Sequence, residues 1–439
     1  MREITTLPQA IKMSGWNGIL PERKKASALE GNQYFDWLII GAGYAGLAAA
    51  RNLAQENPDH KIAVVEAFEI GENASGKNAG FAIDLPHYAG KSEIESERAK
   101  SEIKLYRYGI NILDKIIKDH KIQCDWEKSG RYHAAVSPEV GGNILKLYSE
   151  SLEDWDEEFE YLERNQLQDR IGTSYYSSAV YTPGTYLLNP AALIRGLADT
   201  LPSNVTIFED SPVIEIDFES KNKYVRTPKG TIKFGTAIVT VNGFLQKWGY
   251  FKNKQIPIVL YASLTKPLSD DSIKKLGGVP SWGITPAHNT GGSTVRYTQD
   301  NRILMRHGFN LSPNLNEGLD KLEVAKLKHH EFIKGRFPEI NFEIEHSWMG
   351  WLSLSGNNSP LFGKINNEVY VASCCNGTGV VRHTVAGTLI SDMALNKENP
   401  YEKIYLINGT ASTVPPRPFL DIGFKLKLLL DRKNIRKEE

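Results

Sequence analysis

Three observations predict a two-domain α/β protein, in which a Rossmann-like nucleotide-binding domain stands beside a second, mostly antiparallel β domain. A strand, a glycine-rich turn, a helix and a second strand follow one another between Tyr34 and Glu66. Short β-rich segments separated by turn residues fill the middle of the chain, and a further strand, turn and helix stand near residue 380. Strands that alternate with helices build a parallel sheet, whereas strands in succession build an antiparallel one.

In the first unit, Phe35-Asp36-Trp37-Leu38-Ile39-Ile40 reads as a buried strand, 47–55 as a helix and 61–66 as the second strand. Asn57-Pro58-Asp59 marks the break, because proline cannot continue a helix. Two helical stretches, 93–120 and 142–163, predict an insertion packed over this unit. Asn189-Pro190 predicts a helix start, since Asn offers an N-cap acceptor and Pro at N1 removes no needed donor. Segments 205–208, 213–218, 224–227, 231–234 and 237–241 predict a meander, and 258–264, 294–298 and 302–309 with a helix at 321–336 predict the second sheet. A strand at 369–373, the turn Asn376-Gly377-Thr378-Gly379 and a helix at 380–395 close the nucleotide fold. The expected organisation is an N-terminal extension (1–33), a discontinuous nucleotide-binding domain (34–91, 170–250 and 346–415), a helical insertion (92–169) with the substrate domain (251–345), and a tail (416–439).

Among 439 residues, 41% are hydrophobic and 24% charged, an ordinary globular composition that excludes disorder as the main state. Fifty-two basic residues balance fifty-two acidic ones, which removes the electrostatic footprint of a nucleic-acid binder. Cys124, Cys374 and Cys375 offer no metal-ligand spacing, and no metal site is expected. With no secretory signal in the first thirty residues, a reducing, cytoplasmic location is expected, and no stretch of ~18 apolar residues predicts a transmembrane segment. The tail, from Gly423 to Leu430 and on through Asp431-Arg432-Lys433, is basic and amphipathic. It reads as a terminal helix packed on the surface, with contact to anionic lipid as the alternative.

Gly41-Ala42-Gly43-Tyr44-Ala45-Gly46 matches GxGxxG in the context that gives the pattern meaning, after a strand and at the opening of a helix. Gly41 permits a tight turn, Gly43 lets a pyrophosphate approach the helix N-terminus, and Gly46 lets the helix pack closely on the sheet. Glu66, at the end of the second strand, can accept hydrogen bonds from a ribose diol and disfavours a 2′-phosphate. FAD and NAD(H) share this fingerprint. The segment Gly71-Glu72-Asn73-Ala74-Ser75-Gly76-Lys77-Asn78-Ala79-Gly80-Phe81 favours FAD, because an extended flavin nucleotide needs a second small-residue loop along its ribityl chain. No second GxGxxG unit exists for a separate NAD(P)H domain.

These motifs, with Ile238 to Gly243 (IVTVNG) and Tyr370 to Val380 (YVASCCNGTGV), resemble those of the D-amino-acid oxidase/glycine oxidase (DAO) superfamily of flavoproteins. The run SGKNAGFAIDLPH, with RYTQDNRILM and PPRPFLDIG, is most similar to the γ-glutamylputrescine oxidoreductase branch. The resemblance implies the glycine oxidase-like two-domain fold and a non-covalent FAD. The FAD would be held by Gly41, Ala42, Gly43, Tyr44, Ala45, Gly46, Glu66, Ala67, Ser75, Gly76, Lys77, Asn78, Ala79, Gly80, Val213, Asn242, Gly243, Asn376, Gly377, Thr378, Gly379 and Val380. It implies that the Gly377-Thr378-Gly379 turn aims backbone N–H groups at the flavin N1/O2 edge, where a helix N-terminus stabilises negative charge. The chain departs from the branch at Lys77, usually Arg, at Ala79, usually Gly, and at Ser373 or Cys374, where a glycine is usual. Val380-Val381 stand where the sarcosine-oxidase-like branch places a substrate-binding lysine.

The resemblance further implies an oxidoreductase that oxidises the C–N bond of an amine or amino acid, such as a γ-glutamyl amine, to an imine. Hydride passes to flavin N5, the imine hydrolyses, and oxygen or another acceptor regenerates FAD. His87, Tyr261, Arg296 and Trp351 are the candidate substrate-site residues, with Asn376 and Arg382 able to face the flavin. Arg296, charged within a β-rich strand, either faces solvent or reads an acidic substrate. The competing readings are a 2-hydroxy acid or other non-amine substrate, and a flavin-bearing subunit without turnover.

Overall fold

The computed structural model describes residues 1–9, 13–88, 92–288 and 290–439. At the centre of a nine-stranded sheet, Gly31–Ile40 lies between Ile62–Val65 and Gly230–Val239, parallel to both. Val205–Phe208 extends the sheet in parallel beyond Ile62–Val65, and Val369–Ser373 pairs in parallel with the last residues of Gly230–Val239. Every residue of Ile62–Val65 and of Val369–Ser373 is buried, as strands covered on both faces require.

On one face lie the helices Tyr44–Glu56 and Gly379–Ala394, packed so closely that a Cβ on Gly387 would stand 2.1 Å from the Ala45 carbonyl oxygen. The long helix Glu93–His120 covers the second of them, its Gly109 pressed against Val381 and Val385. This helix starts at a capping box between Ser92 and Glu95 and stops at Lys121 in a left-handed conformation, which explains why its ends are legible in the sequence.

The second sheet has eight strands in the order Ile344–Leu354, Ile256–Thr265, Ile303–Leu311, Thr294–Tyr297, Trp282–Pro286, Arg131–Ala135, Ser178–Thr182 and Glu160–Glu163. All neighbours are antiparallel except Trp282–Pro286 against Arg131–Ala135. The helix Leu319–Arg336 backs it, burying Ile333 in a core with Trp282, Met305 and Phe337.

Several elements differ from the sequence reading. The expected helix 142–163 ends at Asp154, because Asp156 turns left-handed at φ 59°, and Glu160–Glu163 continues as an edge strand. The stretch 92–169 is therefore not only helical: Arg131–Ala135 and Glu160–Glu163 join the second sheet, as do Ser178–Thr182 and Ile344–Leu354 from stretches expected in the nucleotide-binding domain. Segments 231–234 and 237–241 form one strand, Gly230–Val239, and Val205–Phe208 leaves the meander for a parallel pairing. Glu215–Asp217 and Tyr224–Arg226 are the antiparallel remainder.

The tail forms the helix Phe419–Lys437, pinned at its end by a buried carboxylate: Glu438 accepts hydrogen bonds from the N–H groups of Val136 (3.0 Å), Ser137 (3.0 Å) and Gly141 (2.9 Å). Glu438→Ala leaves these donors without their acceptor and should cost about 1–3 kcal/mol at that contact. Hydrogen exchange should accelerate along 419–437 while the central sheet keeps its protection. Unchanged exchange in the helix would show that the pin is dispensable.

Candidate active site

A cavity of about 860 Å³ lies between the two sheets, and the N-termini of two helices open onto it. Gly43, Tyr44 and Ala45 stand at one, and Thr378, Gly379 and Val380 at the other. Neither N-cap residue, Gly43 or Thr378, caps its helix with a side chain. The first-turn N–H groups and the positive ends of both helix dipoles are thus directed at the cavity.

The glycine turn has the geometry its sequence implies. Gly41 has φ +98°, and a Cβ on Gly46 would stand 1.9 Å from the Gly41 carbonyl oxygen. Glu66 braces the turn, accepting hydrogen bonds from Ala42 N, Ala67 N and Asn73 Nδ2, each at 2.9 Å. Burial pushes its pKa up against these donors.

Ser75, Lys77, Asn78 and Ala79 line the cavity next to this turn. Ser75 Oγ accepts a hydrogen bond from Tyr44 N at 3.3 Å, and burial lowers the Lys77 ammonium to about 8. The loop is held from the N-terminal extension: Ser14 Oγ donates to Gly76 O (3.0 Å), Trp16 Nε1 to Asn78 O (2.9 Å) and Asn17 Nδ2 to Gly71 O (2.8 Å). Sequence reasoning leaves this role of 14–17 unread, although a buried Trp in a supposed extension is its signal.

At the other helix, Cys374 (φ 61°), Asn376 (φ 51°) and Gly377 (φ 95°) are left-handed. That conformation costs a residue with a Cβ about 1–2 kcal/mol and explains why a glycine suits the position of Cys374. Asn242, also left-handed, donates from Nδ2 to Trp351 O at 3.0 Å and joins this end of the cavity to the second sheet. Cys375 lines the cavity, but burial raises its thiol to about 11, so at neutral pH it is not the thiolate that a flavin tether would need.

Aromatic and basic side chains from the second sheet form the remaining wall. Tyr261, Phe309, Trp348 and Trp351 line it. The Tyr261 hydroxyl is engaged by Asn310 (2.8 Å) and Glu317 (3.1 Å), and Trp351 Nε1 donates to Ser312 Oγ (3.0 Å). His87 also lines the cavity. Its Nδ1 accepts from Arg131 Nη1 at 2.8 Å, and burial with the nearby charges of Arg131 and Arg306 holds it neutral.

Arg296 requires a correction. Its guanidinium does not line the cavity but donates to the carbonyl oxygens of Ala79 (3.2 Å), Gly80 (2.8 Å) and Leu188 (2.6 Å), between the rings of Trp16 and Phe81. It clamps the loop, and Gly80, at φ +76°, leaves the space the guanidinium fills. A basic residue that the sequence reading omits, Arg306, lies on the cavity together with Lys77, Arg98 and Arg382. It donates to Thr294 Oγ1 at 2.7 Å, burial lowers its pKa to about 10, and among the described residues no carboxylate pairs with it. Of the expected cofactor residues, Gly41, Ala42, Gly46, Glu66, Ala67, Gly76, Gly80, Val213 and Gly243 lie outside the lining: Glu66 stands behind the turn it braces, and Val213 within the core behind the sheet.

The lining fits a flavin nucleotide. A Cβ on Gly377 would meet nothing within 4 Å, which leaves its backbone open to close approach. Arg382 Nε and His383 Nε2, in the first turns of the second helix, are buried on the cavity without a hydrogen-bond partner among the described residues. A dinucleotide with its pyrophosphate at one helix N-terminus and a ring that gains negative charge at the other matches this donor set.

Fold and site thus define a flavin-dependent oxidoreductase. The profile of the DAO family, FAD dependent oxidoreductase, matches residues 36–393, and the chain belongs to that family, with FAD as its cofactor. It is 26% identical over 371 residues to γ-glutamylputrescine oxidoreductase of Escherichia coli, covering 82% of this chain and 83% of the relative. A probable oxidoreductase OrdL of Haemophilus influenzae is 24% identical over 391 residues, 86% of each chain. Glycine oxidase from Geobacillus kaustophilus has the same fold, with a TM-score of 0.71 at 16% identity over 88% of this chain and all of its own. Among the described residues, no helix is long and apolar enough to cross a membrane.

Glu66→Ala should weaken FAD by about 1–3 kcal/mol, as expected for hydrogen bonds to a charged group. Fluorescence titration of the apoprotein measures this. An unchanged affinity would mean that Glu66 neither contacts the nucleotide nor controls the turn.

Proposed function

We propose that the enzyme oxidises the C–N bond of an amine or amino acid that carries a carboxylate away from the reacting carbon, as a γ-glutamyl amine does. The observation that carries this reading is Arg306, a desolvated guanidinium on the cavity with no carboxylate partner among the described residues. A buried cation without a counter-charge is costly, and an anionic substrate group removes that cost. Bound FAD supplies the two-electron acceptor, non-covalently, and the resulting imine hydrolyses outside the aromatic wall.

The chain's own part is binding, orientation and control of protonation. An amine must lose its proton before its lone pair can assist oxidation. Arg306 and Arg382 place positive charge on the cavity against the carboxylates of Glu95 and Glu102, and His87 and His383, both held below the ordinary histidine range by burial and nearby arginines, stay uncharged and can accept a hydrogen bond from the amine. Tyr261, Phe309 and Trp351 exclude water around it.

Anaerobic bleaching of the flavin by a panel of γ-glutamyl amines, polyamines, glycine, sarcosine, D-amino acids and 2-hydroxy acids tests the reaction class. Reduction by 2-hydroxy acids alone would replace the amine reading. Arg306→Met should cost ~2–4 kcal/mol in kcat/KM on a carboxylate-bearing amine, with Arg306→Lys intermediate, and little on a carboxylate-free amine. Equal losses on both substrates would make Arg306 structural.

A further inference from the structure

The C-terminal helix Phe419–Lys437 has two apolar faces, and the fold uses only one. Phe424, Leu428 and Ile435 recur at helical spacing and are half-buried, with Phe424 edge-on to Phe309 at 6.0 Å between centroids. Phe424, Lys427 and Leu428 line the cavity, so this helix forms part of its wall. No residue of the helix is fully buried. On the opposite side Phe419, Ile422, Leu426, Leu429 and Leu430 are exposed, by 51% to 77%, and at ~100° per residue they fall within one arc about 100° wide. Such a stripe on a soluble surface marks an interaction site.

Charge identifies what covers it. Lys425, Arg432 and Arg436 flank the stripe on one side, and Lys433 stands at its C-terminal end beside Lys437, whose charge is paired with Glu139. The helix has two acids: Asp421 is bound by Arg417 Nε at 2.8 Å, and Asp431 faces His288 Nε2 at 3.2 Å. The outward face is thus apolar and basic with no free acid. A second copy laid against it would bring like charges together, which opposes self-association. An anionic bilayer satisfies both features, as acyl chains take the leucines and lipid phosphates take the flanking bases. Across the cavity, the first two turns of Glu93–His120 supply Glu95 and Arg98 to the lining and leave Ile94 82% exposed.

We propose that the outward face of the C-terminal helix is a docking surface for anionic lipid bilayers, which places the cavity wall formed by its inner face next to the membrane. The FAD-loaded protein should co-sediment with phosphatidylcholine vesicles containing phosphatidylglycerol, but not with phosphatidylcholine alone, and about 0.5 M salt should weaken binding. Leu429→Asp with Leu430→Asp, and separately Arg432→Glu with Arg436→Glu, should each weaken it at least ~tenfold, since each base near the surface contributes about one kcal/mol. All four side chains are exposed, so flavin content and melting temperature should match the parent, which separates lost docking from lost folding. Equal binding to neutral and anionic vesicles, no binding to either, or unaltered binding of both variants would overturn the proposal. So would a concentration-dependent dimer abolished by the leucine substitutions, which would assign the stripe to a second copy.

Discussion

Two contacts that only glycine allows hold the site together. Gly46 lets the first helix sit against the Gly41 turn, and Gly387 lets the second helix sit against the backbone of the first at Ala45. A methyl group at either position would require the helices to separate from the turn or from each other. Because the helices are locked side by side, their N-termini reach one cavity together, and the electrostatics of the cofactor site follow from that packing rather than from any charged side chain. The long helix Glu93–His120 presses on the second helix through a third close contact, Gly109 on Val381 and Val385, and completes the stack.

The loop between the turn and the second sheet has no comparable intrinsic rigidity, and the chain borrows it from distant residues. Trp16 and Ser14 hold it from the N-terminal segment, Trp348 Nε1 donates to Lys77 O at 3.0 Å, and Arg296 gathers three carbonyl oxygens at its far end. Each partner is buried and each uses a polar atom that would otherwise be unsatisfied. The second sheet therefore positions the cofactor loop as well as walling the cavity.

Local signals explain what the sequence makes legible. GxGxxG between a strand and a helix, the Ser92 capping box and the Asn189-Pro190 start each act over a few residues, and each element appears where its signal stands. Non-local pairing is different. Nothing around 131–135 or 160–163 states that these short strands join, through Ser178–Thr182, a sheet whose remaining strands all lie beyond residue 255, and nothing in 205–208 separates a parallel edge from a meander. Arg296 and Arg306 show the same limit at the scale of a site. Thr294 lies opposite Arg306 and Arg296 lies opposite Leu304, so both arginines project from one face of the sheet, two register steps apart. Only the packing of Gly80 and Leu188 against that face decides which arginine is consumed by carbonyls and which reaches the cavity.

That division of labour sets the character of the cavity. Its cations are desolvated: Lys77 falls to about 8 and Arg306 to about 10, while His87 and His383 stay neutral beside arginines. Positive charge in a buried pocket raises the affinity for an anion that enters, and the nucleotide phosphates have a place at the helix ends. Glu95 and Glu102, on the same lining, offset part of this charge. The helix N-termini and the buried bases beside them thus act in one direction, toward an anionic cofactor, and the acidic substrate proposed for this site would draw on the same field at Arg306.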